Sequence, residues 1–112
     1  MTHYLIELYT PKPEWLELPA EQRERFLAGI DQGMRQLQGL GIEPLALGPV
    51  EAGIAHTSEH RFMGIWRCAD TAARDALLAG IEASGWYEHF AHVNASSPGG
   101  GLDAHLRALA VG

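Results

Sequence analysis

Residues 3–9, HYLIELY, carry large, β-prone side chains with no helical period and predict a strand. Pro11 and Pro13 end it. Trp15, Leu16 and Leu18 then form an apolar lead-in, read as a staple on the next helix rather than a flap. Pro19 suits a first helical turn, where its missing N–H is not needed. Phe26, Leu27, Ile30, Met34 and Leu37 recur at helical spacing between Glu, Arg and Gln residues. They predict an amphipathic helix to about Gln38, ended by Gly39 and Gly41. Residues 42–50, IEPLALGPV, make a weaker strand. Pro44 and Pro49 lack a ladder donor and place it at a sheet edge. A polar loop covers residues 51–59. RFMGIWRC, residues 61–68, predicts a third strand. Asp70 caps a second helix with Ala73, Leu77, Leu78 and Ile81 on its inner face, and Gly85 closes it. An extra turn over Trp86–Phe90 leads to a fourth strand over Ala91–Ser96. SSPGGG is a hinge, and Leu102, Leu106 and Leu109 mark a short C-terminal helix.

The order βαββαβ predicts one α+β domain over residues 1–112. Its simplest closed form is a ferredoxin-like antiparallel sheet, order 4-1-3-2, with both helices on one face. Side chains alternate across a strand. Compact aliphatics suit the helix-covered side, so Tyr4, Ile6, Leu8, Met63, Ile65, Ala91, Val93 and Ala95 are assigned there. The opposite parity holds Leu5, Glu7, Tyr9, Phe62, Gly64, Trp66, Phe90, His92 and Asn94. Four or five large apolar groups left in water forgo about 1.5–3 kcal/mol each. A face of that kind predicts a homodimer in which two sheets meet.

Composition narrows the function classes. Of 112 residues, 46% are hydrophobic and 20% charged, an ordinary globular balance. Net charge is −6 with only eight Lys and Arg, which argues against nucleic acid and against an anionic membrane surface. Cys68 is the only cysteine, so neither an internal disulfide nor a Cys-rich zinc site forms; it reads as a small buried hydrophobe. MTHYLIELYT has no basic segment followed by a long apolar run, and no window reaches a membrane span, so a cytoplasmic setting is expected.

The βαββαβ order and the uncovered sheet resemble the dimeric α+β barrel superfamily. That group holds small monooxygenases, lactone isomerases and haem-degrading enzymes. Within TPKPEWLELPAEQRERFL, the Trp-Leu-x-Leu-Pro entry to the first helix is similar to the darcynin-type proteins. The superfamily resemblance covers about residues 3–97. It implies a pocket lined by inward strand residues. It also compares Trp66, at the end of strand three, and His89, after the second helix, with a Trp and a His of the haem-degrading members. Those members have an Asn on strand one where this chain has Glu7.

Strands one and four are neighbours in the expected order, so Glu7 reaches toward His92 and Asn94. A carboxylate beside an imidazole raises the imidazole pKa and orients it for proton transfer. Glu7 and His92 are therefore the candidate catalytic pair, with mutual satisfaction at a buried dimer seam as the competing reading. Asn94 is a candidate hydrogen-bond donor. Trp66, Phe62 and Tyr9 are candidate apolar wall, and His89 a candidate binding residue. His89 and His92 straddle a helix–strand junction and have no third ligand at a recognised spacing, so no metal is expected. The expectation is a cofactor-free monooxygenase- or isomerase-type enzyme acting on a small hydrophobic or aromatic molecule. The alternatives are a non-catalytic ligand-binding or assembly module and a haem-binding or haem-degrading protein.

Overall fold

The computed structural model describes residues 1–112. Strand β1 (His3–Pro11) leads through a short helix α1 (Pro13–Glu17) into the long helix α2 (Ala20–Leu37). Pro19 precedes α2 and Pro13 opens α1, where a missing N–H costs nothing. A 3₁₀ turn over Gln38–Leu40 ends at Gly41, whose φ of 82° is left-handed. Strand β2 (Ile42–Pro49) and strand β3 (Phe62–Cys68) follow. Helix α3 (Thr71–Ala83) starts where the Asp70 side chain accepts the Ala73 N–H at 2.8 Å. A single turn α4 (Trp86–His89), strand β4 (Phe90–Ser97) and helix α5 (Leu102–Val111) complete the chain.

The sheet order is β2-β3-β1-β4, all antiparallel, with the proline-bearing β2 on the edge as its composition required. The fold is α+β and ferredoxin-like. Register sets Glu7 opposite Gly64 on one side and Asn94 on the other.

Parity is the reverse of the sequence expectation. Leu5 and Trp66 belong to the buried cluster with Ile42, Cys68, Ala73 and Leu77, so the helix-covered face carries Leu5, Glu7, Tyr9, Trp66 and Phe90. Fully burying Leu5 and Leu77 is worth about 1.5–3 kcal/mol each. The open face therefore holds Tyr4, Ile6, Leu8, Met63, Ile65, Ala91, Val93 and Ala95. None of these is buried, and Ile6 and Val93 are 44% and 53% exposed. The physical reason is that both parities are apolar, and aromatic bulk on β3 and β4 is what fills the space beneath the helices.

Helix α2 departs from expectation in another way. It is amphipathic, yet none of its residues is fully buried. Met34 and Leu37 pack against the core cluster, but the apolar side as a whole leaves space between the helix and the sheet. No helix is long and apolar enough to cross a membrane.

Candidate functional site

The gap between α2, α3 and the sheet is a cavity of about 540 Å³. Its wall takes Leu27, Ile30, Met34 and Leu37 from α2, Ile81 from α3, and Leu47, Trp66 and Tyr9 from the strands. Gly29 and Gly33 of α2 lie on this wall with nothing within 4 Å of where a Cβ would stand, so their small size enlarges the space. The hydrophobic period of α2, which reads as core in sequence, lines a pocket. A second hollow of about 380 Å³ adjoins the first through Tyr9, Leu27 and Trp86, with Phe62 and Phe90 in its wall and Arg61 at its edge.

Glu7 lies in the wall of the main cavity and is only 5% exposed. Its Oε2 accepts the indole N–H of Trp66 at 3.0 Å, while Oε1 is buried with no hydrogen-bond partner. Burial raises the Glu7 carboxyl above its ordinary value, and the Trp66 bond opposes the rise only in part. Gly64 makes room for this anchor. A Cβ there would stand 2.9 Å from Leu47 Cδ2, 3.0 Å from Glu7 Oε2 and 3.3 Å from Trp66 Nε1.

Behind Glu7 is a polar chain. Trp86 Nε1 donates to His92 Nδ1 at 3.0 Å. An indole N–H only donates, so Nδ1 accepts and the imidazole proton is on Nε2. Nε2 then donates to Asn94 Oδ1 at 2.7 Å, and Asn94 Nδ2 donates to the Tyr87 hydroxyl at 3.1 Å. Glu7 Oε1 is 3.8 Å from His92 Nε2, too long for a hydrogen bond. The expected rise in the histidine pKa is corrected here. Burial lowers His92 below its ordinary value, the Asn94 bond opposes this, and the nearby His60 adds to the lowering. Tyr9 stacks on the His92 ring, with centroids 5.4 Å apart and planes 7° from parallel. Burial, and then the charge of Glu7, raise its phenol.

The structure thus brings Glu7, Tyr9 and Trp66 into one wall and places His92 and Asn94 behind it. Phe62 belongs to the adjoining hollow, 6.0 Å from Tyr9. His89 is elsewhere, packed 4.7 Å from the Phe26 ring and 5.2 Å from Trp15. It shares no ligand position with His92, and no group of three His, Cys, Asp or Glu residues is placed to hold a metal ion. The sequence reading missed Trp86 as the donor that fixes the His92 tautomer. The only signal was an aromatic at the turn preceding β4.

A family model matches residues 2–111. The chain belongs to DUF6616, a family of unknown function. The sequence matches no curated protein. Solved structures similar to this member of DUF6616 include two mutants of the chlorite dismutase of Candidatus Nitrospira defluvii. Both are 14% identical over 93% of this chain, with TM-scores of 0.65 and 0.62. A structure named provisionally as a chlorite dismutase is 13% identical over 81% of the chain, with a TM-score of 0.58. The chain spans 43% of the length of the first two and 39% of the third. At these identities the likeness is one of fold. It agrees with the ferredoxin-like α+β fold and does not extend to the darcynin-type proteins.

Proposed function

We propose that this protein is a cofactor-independent small-molecule enzyme in which Glu7 moves a proton to and from a neutral, hydrophobic substrate. One observation carries the reading: a carboxyl 95% buried, with one oxygen unpartnered, sits in the wall of an apolar cavity large enough for a small molecule. A carboxyl raised by burial is a stronger base when ionised than one in water, and it is poised nearer neutral pH. The Trp66 indole holds Oε2 and fixes the orientation of the group. His92 has no free lone pair in the tautomer its partners dictate, so the base role falls to Glu7, and the Nε2–H edge supports the carboxylate electrostatically. Trp66, Trp86 and Tyr9 supply flat apolar surface for an aromatic substrate. Glu7 takes a proton from a weakly acidic C–H or phenol O–H and returns it to the same or a neighbouring atom. That step alone suffices for an isomerase and is the first step of a cofactor-free oxygenation.

Substrate charge follows from the wall. It contains no Lys, Arg or His, so an anionic group at the Glu7 end would be desolvated without a partner. The same fact bears on haem, which the superfamily resemblance implies. Two propionates would meet no cation in this cavity, and iron would meet no imidazole, because His89 is packed among aromatics and His92 is engaged at both nitrogens. The Met34 thioether serves haem iron in company with a histidine, which is missing, and the raised Tyr9 phenol stays protonated. These residues do not fit haem.

Deuterium exchange tests the proposal. Neutral aromatic ketones and phenols are screened by quenching of tryptophan fluorescence, and binders are followed by NMR in D₂O. Wild type exchanges an acidic C–H of a bound ligand, whereas Glu7→Gln binds the ligand and does not exchange it. Equal exchange by both proteins refutes the base role. Equal binding of anionic analogues refutes the substrate class.

A further inference from the structure

Helix α5 is unlike the other helices. All ten residues from Leu102 to Val111 are exposed, including Leu102 at 70%, Leu106 at 52% and Leu109 at 62%. Those three leucines fall at i, i+4 and i+7 and form one apolar stripe, while the charged Asp103 and Arg107 fall to one side of it. An isolated helix of this length is marginal in water. Its stripe therefore needs a surface, and its own chain does not provide one.

The chain does carry a second unpartnered apolar surface. The open sheet face presents Ile6, Leu8, Met63, Ile65 and Val93, and its charges lie at one end, where Arg67 pairs with Glu43. The Gly-rich hinge begins at the same end. β4 leaves the sheet at Ser97, opposite Tyr4, and a Cβ on Gly99 would stand 3.0 Å from the Tyr4 ring. The hinge thus crosses the rim of the open face, and α5 departs from it.

We propose that α5 is an exchanged arm: it seats its Leu102, Leu106 and Leu109 stripe on the open sheet face of a second copy, around Ile6 and Val93. Each chain has one arm and one face, so a two-fold pair satisfies both, and the contact is closed and isologous. The occupant is a second copy because the needed stripe is already part of this chain and lies off its own sheet. The cavity, on the other side of the sheet, is left free.

The full-length chain is tested by analytical ultracentrifugation at micromolar concentration, with far-UV circular dichroism to confirm folding. Wild type sediments as a dimer. Leu106→Glu, an exposed substitution that spares the core, keeps the fold and weakens dimerisation about 100-fold or more. Separately purified Val93→Cys and Leu106→Cys chains are then mixed under mild oxidation; Cys68 is fully buried and silent. The expected product is a disulfide between one chain of each kind. A monomeric wild type overturns the proposal, as does a Leu106→Glu dimer of unchanged strength. Cross-linking confined to pairs of Val93→Cys chains also overturns it, since that marks sheet against sheet without the arms.

Discussion

Glu7→Gln keeps the shape of the buried side chain and removes its capacity for charge. The amide oxygen still accepts the Trp66 N–H now made to Oε2 at 3.0 Å. The amide nitrogen takes the place of Oε1, which has no partner to lose. At low pH the two proteins differ little, because the wild-type carboxyl is protonated and equally neutral. The sign at higher pH follows from linkage. Burial raises the folded-state pKa of Glu7 above its unfolded value near 4.5, so between those two values the unfolded chain releases a proton that the folded chain holds. Wild-type stability is therefore complete below the unfolded value and declines as pH rises through the folded one. The glutamine variant lacks that decline. A buried polar group without a partner costs about 1–3 kcal/mol, more if charged, so the variant gains about 1–3 kcal/mol at pH 8. For a chain of this size that is roughly 4 °C in Tm per kcal/mol. Thermal melts of both proteins from pH 4 to pH 9 measure it, and the difference between the curves cancels the histidines. The expected result is convergence at acid pH and a variant that is more stable yet catalytically dead at alkaline pH. A constant offset across the range, or a variant less stable at pH 8, refutes the reading of Glu7 as a strained functional carboxyl.

Other substitutions probe the parts around it. Gly64→Ala drives a methyl into Leu47, Glu7 and Trp66 and breaks the Glu7–Trp66 bond; proton exchange on a bound ligand falls at least tenfold, with stability lower by about 1–3 kcal/mol, read by chemical denaturation. Trp86→Phe removes the N–H that His92 Nδ1 accepts and that favours the neutral ring, so His92 titrates at higher pH, followed by NMR of the imidazole protons. Since a lowered His92 pKa gives stability that is lost as pH falls from about 6.5 through the folded value, Trp86→Phe also flattens the acid limb of the melting curve. Gly33→Ala adds helix propensity worth up to about 1 kcal/mol while its methyl enters the cavity, so Tm rises as affinity for the bulkiest ligands drops. His89→Ala loses contacts to Trp15 and Phe26 worth about 1 kcal/mol and leaves ligand affinity unchanged, as thermal melts and fluorescence titration show.

What was legible in the sequence divides along a physical line. Element order, the edge position of β2 and the Asp70 cap were readable because each rests on local chemistry: a missing donor at Pro44 and Pro49, a carboxylate three residues before an N–H. The proximity of Glu7 to His92 and Asn94 was readable because it needed only strand order. Strand parity was not. Tyr4, Ile6 and Leu8 alternate with Leu5, Glu7 and Tyr9, and by hydrophobicity alone the first set, free of charge, is the better core. The preference for compact aliphatics beneath the helices points to the wrong face, because the aromatics of β3 and β4 take that side and Glu7 goes with them. The structure places that carboxyl beneath the helices with one oxygen unpaired, in a wall without cations. Natural sequences depart from local rules of burial chiefly where function compensates. A strand that hides its single charge and shows its aliphatics to solvent gives up stability on both faces. On the two proposals made above, the inner face would gain a base in an apolar cavity and the outer face a seat for the leucines of α5.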